Sequence, residues 1–202
     1  MGVACTGAAL SVFLFSHKPV KELSGTNIAV TSHTATSIQL LRVLFSDLWS
    51  MSDHSFVEMS DDHSAALVIG DPALKTLASG TYEYSYDLGS AWQTLTGLPF
   101  VFAEWVVRSD APADLVEAFE RSLIEATRIG VESVEEISRL RSDESMSESD
   151  VATYVRNFSY FFGPDERSGQ REFKQRLSKL PEWRPAVSAA NETSETRAVS
   201  AS

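Results

Sequence analysis

The chain has 202 residues, 43% of them hydrophobic and 22% charged, and its 28 acidic against 17 basic side chains leave a formal charge of −11. That composition fits one large folded domain or two small ones. It excludes a protein whose main task is holding nucleic acid, which needs a basic surface to neutralise phosphate. The single cysteine, Cys5, excludes a disulfide framework, and no apolar run reaches the ~20 residues of a membrane helix.

Residues 1–16 contain an apolar stretch but no Lys or Arg before Lys18, so they lack the basic start of an export signal. Gly2 and Thr6 fit the short myristoylation pattern, which often arises by accident. The plainer reading makes residues 10–15 a buried strand, rich in branched and aromatic side chains. On that reading, the chain is expected in the cytoplasm.

Further strands are expected at residues 27–31, 56–59, 65–69 and 99–107. The unbroken apolar run Ala65-Ala-Leu-Val-Ile69 suggests a strand buried on both faces, as in a parallel sheet. Ile38, Leu41, Leu44, Phe45 and Leu48 mark one face of a helix that opens near Ser37. Leu115, Val116, Phe119, Leu123 and Ile124 do the same for a longer helix after Pro112, with Asp110 as its expected cap. Helices are also expected over 131–140, 147–158 and 169–180, the second opened by a Ser147/Asp150 capping box. Residues 132–150 hold seven acids and two bases, a local −5 that reads as a solvated helix face and loop. From residue 184 the composition turns small and polar, which predicts a disordered tail. Strands alternating with helices, followed by a helical stretch, give an α/β class.

Three segments could carry chemistry. Thr31-Ser-His-Thr-Ala-Thr-Ser37 places five hydroxyls between a buried strand and the start of a helix. Free N–H groups and the helix dipole at such an end suit a carboxylate or phosphate; an N-cap with spare hydroxyls is the alternative. Gly70-Asp71 ends a buried strand, where ligands bind in α/β sheets, or it forms a turn in which Asp71 caps a short helix. Around residues 87–105, Trp92, Phe100, Phe102 and Trp105 could wall a ring-shaped ligand or simply fill the core. His54, Glu58, Asp61, Asp62 and His63 have no standard metal-site spacing, so no metal is expected. Cys5 lacks an evident base. There is no Gly-x-Ser-x-Gly elbow or nucleotide-binding Gly-rich loop.

The same segments resemble a known family: the chorismate dehydratase of futalosine-pathway menaquinone biosynthesis and its sister, 1,4-dihydroxy-6-naphthoate synthase. The resemblance runs from about residue 11 to 183. It is carried by Ser11-Val-Phe-Leu-Phe-Ser16, by residues 27–44, by Ala66-Leu-Val-Ile-Gly-Asp-Pro-Ala-Leu74 and, most specifically, by Asp87-Leu-Gly…Trp92…Thr96-Gly-Leu-Pro-Phe-Val-Phe-Ala103. The Ser-Val-x-Leu-x-Ser start and the spacer over 18–25 favour the dehydratase branch.

The resemblance implies a periplasmic-binding-protein-like (type II) fold of two lobes around a cleft. Residues 1–75 would be the remainder of an incomplete first lobe, with a crossover near 70–80. Residues 76–183 would form the second lobe and returning helices, and 184–202 the tail. It implies a lyase that dehydrates chorismate to 3-enolpyruvyl benzoate, with no metal or organic cofactor and no membrane partner. The sister activity and a non-catalytic small-anion-binding module are the alternatives. By position, Ser11, Thr34, Thr36 and Ser37 would hold substrate carboxylate, Gly70 and Asp71 would line the cleft, and Phe100 and Phe102 would flank the ring. The family usually has Ser where Thr34 stands. Family members also carry a strand, an Asn- and Pro-containing loop, a helix and a second strand ahead of the equivalent of Ser11. The chain is therefore expected to be short at its N-terminus, through a misplaced start or a split gene rather than decay, because the remaining motifs are intact.

Overall fold

A computed structural model describes residues 1–31, 34–141 and 147–181; the tail expected from residue 184 lies outside them. The chain opens with β1 (Gly2–Cys5), followed by β2 (Val12–Ser16), a short turn at Val20–Glu22 and β3 (Asn27–Val30). Then come α1 (Thr36–Asp47), β4 (Ser55–Glu58), β5 (Ala65–Ile69), α2 (Asp71–Ser79), β6 (Tyr84–Asp87), α3 (Leu88–Thr96) and β7 (Phe100–Glu104). The rest is α4 (Ala113–Glu132), α5 (Val134–Arg141), α6 (Glu148–Arg156), β8 (Phe158–Ser159) and α7 (Pro164–Leu177). The fold is mixed α/β.

Two sheets organise it. The larger has the order β4-β3-β5-β2-β6, with β3 parallel to β4 and β5, and β2 antiparallel to β5 and β6. The parallel pairing expected for residues 65–69 therefore holds on one side only. This sheet straddles residue 75, since β6 lies beyond it and still pairs with β2. The smaller sheet is β7-β1-β8, with β1 antiparallel to both neighbours.

The period of two along β2 divides the larger sheet's burial. Leu14 joins Ile28, Leu67, Trp92 and the apolar residues of α1 in the main core. Phe13 and Phe15 point to the other face, with Ala29, Ala66, Val68 and Ala73 of α2. Trp92 is fully buried, which at ~25 cal/mol per Å² over ~150–250 Å² is a transfer term of roughly 4–6 kcal/mol.

Several expectations shift. β1 gave no strand signal because Gly-Val-Ala-Cys is small; its place is set by partners on both sides. The strand expected over 99–107 stops at Glu104, and α7 starts at Pro164 rather than 169. Asp110 does not cap α4: Pro112 is the N-cap residue, without a side-chain bond, and Asp110 pairs with Arg108 instead. No residue of α4 is buried: Leu115 and Phe119 of its expected core face are exposed, and Phe119 meets exposed Trp105. The Ser147/Asp150 capping box is present at the start of α6.

The most family-specific segment is architectural. The Asp87 carboxylate caps α3 by accepting from the Ser90 N–H at 2.9 Å. It also accepts from the Ala9 and Leu10 N–H groups at 2.8 and 2.7 Å. These bonds hold the loop between the two sheets, where Leu10 has a φ of 65°. Gly89 is required by close approach: a Cβ there would lie 2.5 Å from the Gly7 carbonyl oxygen. The Trp92 indole donates to the Pro99 carbonyl at 3.1 Å, and the Thr96 hydroxyl accepts from the Leu98 N–H at 3.1 Å. Among the described residues, no helix is long and apolar enough to cross a membrane.

Candidate functional site

The loop pinned by Asp87 delivers Ser11 to a cavity of about 360 Å³. From the larger sheet and its connections, the lining is Ser11, Val12, Thr34, Ala35, Thr36, Ser37, Ile69 and Gly70. Val3 of β1, Phe102 of β7, Tyr154 of α6 and Phe158 of β8 close it from the other side. Its size suits a small molecule, and every described lining side chain is uncharged.

Each polar element has a local cause. α1 begins after Ala35, which makes no side-chain cap bond. The N-cap residue therefore leaves the first N–H groups of α1 without a capping bond of its own, at the end of the helix that carries the positive dipole. Ala35, Thr36 and Ser37 face the cavity, and Ser37 is buried. Just ahead, the Thr34 hydroxyl oxygen is buried without a hydrogen-bond partner among the described residues, as is that of Thr31. A buried hydroxyl left unpaired costs about 1–3 kcal/mol, so a hydrogen-bonding ligand or water at this end would be favoured.

Ser11 is buried, its carbonyl accepts from the Gly70 N–H at 2.8 Å, and its hydroxyl lies 2.8 Å from the Tyr154 hydroxyl. Gly70 has a φ of 67° as the residue before α2. Open space surrounds the place a Cβ would take, so backbone conformation rather than crowding favours glycine there.

Ser11, Thr34, Thr36, Ser37, Gly70 and Phe102 thus line one cavity, whereas Asp71 and Phe100 do not. Asp71 is the exposed first residue of α2; being one past the N-cap residue, it makes no cap bond. Phe100 is 1% exposed and packs edge-on against Trp92 and Phe173, with its ring centroid 4.7 Å from that of Phe102. Of the four aromatics read as a possible wall, only Phe102 reaches the cavity; Trp92 is core and Trp105 is exposed.

Tyr154 and Phe158 were missed. Their rings meet edge-on at 5.1 Å, and their i, i+4 spacing just after a capping box is the signal that marks them.

Cys5, His54 and His63 do not line this cavity. The Cys5 thiol is buried and donates to the Gly7 carbonyl at 3.2 Å. Burial, helped by the Asp87 charge, pushes it up to about 12. His54 packs between Phe45 and Phe56, and burial lowers its proton affinity. His63 meets the Asp61 carbonyl and the Tyr82 hydroxyl.

A family profile described as "Menaquinone biosynthesis" matches residues 1–179. A Thermus thermophilus protein named chorismate dehydratase is 28% identical over 196 residues, covering 87% of this chain and 70% of that protein.

Proposed function

Because the chain belongs to the menaquinone biosynthesis family, we propose that its cavity binds chorismate and removes water from it to give 3-enolpyruvyl benzoate. The observation that carries this reading is the cavity at the start of α1, whose described lining is uncharged and rich in hydroxyls, with a Thr34 hydroxyl that has no partner among the described residues and with an aromatic wall. Chorismate presents carboxylates and a six-membered ring, which match those two features. The name of the Thermus thermophilus relative supports the same substrate.

In this reading Thr36 and Ser37, with the first N–H groups of α1, hold a carboxylate, and Thr34 and Ser11 add hydroxyl donors. Phe102 and Phe158 lie against the ring. The cavity is the cleft of a two-lobed, periplasmic-binding-protein-like fold, with one sheet in each lobe. A ring C–H bond and the ring C–OH bond both break, a new ring double bond forms, and the proton and hydroxide leave as water. Aromaticity of the product drives the step. In this reading a carboxylate of the substrate takes the proton.

Purified protein incubated with chorismate, followed by chromatography and mass detection, is expected to yield the aromatic enolpyruvyl product. Chorismate that persists unchanged refutes the reading. Saturable binding without turnover would select a binding module, and turnover of cyclic dehypoxanthine futalosine the sister activity.

A further inference from the structure

We propose that Tyr154 is a positioning residue for a bound carboxylate: its phenol holds the Ser11 hydroxyl so that the Ser11 proton points into the cavity. The proposal rests on reading that cavity as a carboxylate site.

The two hydroxyl oxygens are 2.8 Å apart and either can donate. One proton is used between them and the other is left free. A phenol is far more acidic than an alcohol and is the better donor. With Tyr154 donating, Ser11 keeps its proton for the cavity, and the chain from Tyr154 through Ser11 to an anion is polarised in one direction, so each bond strengthens the next. An anionic ligand selects that arrangement, whereas a ligand that can donate as well as accept has no such preference.

Both partners are held in place. Ser11 is 4% exposed, its carbonyl takes the Gly70 N–H, and the two residues before it are bound to Asp87. Tyr154 rests edge-on against Phe158. Asn157, just past the end of α6, donates to the Ala8 carbonyl at 2.7 Å. The end of α6 and the β1–β2 loop are therefore tied twice, once by the Asn157 side chain and once by the hydroxyl pair that faces the cavity. With no charged side chain in the described lining, an orientated hydroxyl counts for more than it would beside a lysine or arginine.

Tyr154→Phe keeps the ring and its contact with Phe158 and removes only the hydroxyl. Isophthalate and isophthalamide share one ring and differ in charge, so they separate carboxylate recognition from general packing. By titration calorimetry, the variant is expected to bind isophthalate roughly five- to tenfold more weakly, because the Ser11 hydroxyl loses the phenol bond that orients and polarises it. Isophthalamide binding should stay within about twofold. Ser11→Ala should lose a similar factor, and the double variant little more than either alone; the Ser11→Ala arm serves if Tyr154→Phe does not fold. Equal loss for both ligands, unchanged isophthalate binding, or no isophthalate binding by the unaltered protein overturns the proposal. Tyr154-dependent isophthalate binding in a protein that leaves chorismate intact would sink the dehydratase reading and uphold the hydroxyl pair. Chorismate turnover with the same kcat and KM in Tyr154→Phe would do the reverse.

Discussion

Removing the Asp87 carboxylate should loosen the loop between the two sheets and with it the cavity. Asp87 accepts three backbone N–H bonds, from Ala9, Leu10 and Ser90. A hydrogen bond to a charged group contributes about 1.5–3 kcal/mol, and a helix cap about 1. The side chain is half-buried, so water recovers part of this, and the three bonds share one anchor and are not additive. Asp87→Ala is therefore expected to cost roughly 2–4 kcal/mol. With a urea m-value of about 2 kcal/mol/M for a chain of this size, the midpoint falls by about 1–2 M. Asp87→Asn keeps one acceptor oxygen and should fall between the two. Urea unfolding followed by far-UV circular dichroism and by tryptophan fluorescence, which includes buried Trp92, measures both variants. A midpoint for Asp87→Ala within about 0.3 M of the unaltered protein, or Asp87→Asn less stable than Asp87→Ala, would refute the reasoning.

Gly169→Ala in α7 sets helix propensity against packing. The new Cβ would lie 2.0 Å from the Pro99 carbonyl oxygen, and backbone cannot yield as a side-chain tip can. The gain of about 1 kcal/mol expected for Ala over Gly is outweighed, and thermal melting should show a lower Tm. Cys5 should resist a thiol reagent at pH 8 in the folded protein and react once urea is added, because burial pushes its thiol up to about 12. The raised value favours the neutral thiol in the fold, so this contribution is complete below the ordinary 9.0 and lost as pH climbs towards 12; Cys5→Ala should flatten that alkaline loss. Glu104 is held below the ordinary carboxylate range by donation from Gln170 and then Arg167. Its stabilisation is present above the unfolded value of about 4.3 and fades as pH falls through the folded one, so Glu104→Gln should flatten the acid limb of a stability-versus-pH curve.

The legible parts of the molecule were those whose signal is local. The alternation through Phe13, Leu14 and Phe15, the helical spacing of Ile38, Leu41 and Leu44, and the Ser147/Asp150 box each depend on neighbours within a turn or a strand. Ser11, Thr34, Thr36, Ser37 and Gly70 meet at one cavity because they lie at strand ends and at a helix start, positions that a βα unit brings together, and Phe102 joins them from the middle of β7 in the other sheet. Asp71 and Phe100 fell outside for separate reasons. A one-residue offset in the cap moved Asp71 to the surface, and Phe100 lies deeper than Phe102, packed against Trp92 and Phe173.

By itself, the amino-acid sequence determined the α/β class, the family and the hydroxyl-rich start of α1, since periodicity and motif order are written along one chain. Tertiary structure alone decided that β1 is a central strand, that the Asp87 motif is a clamp and that Tyr154 meets Ser11 across 143 positions of sequence. Pairing, close approach and a hydroxyl contact at that separation depend on where two remote segments stop in space. No local propensity encodes it.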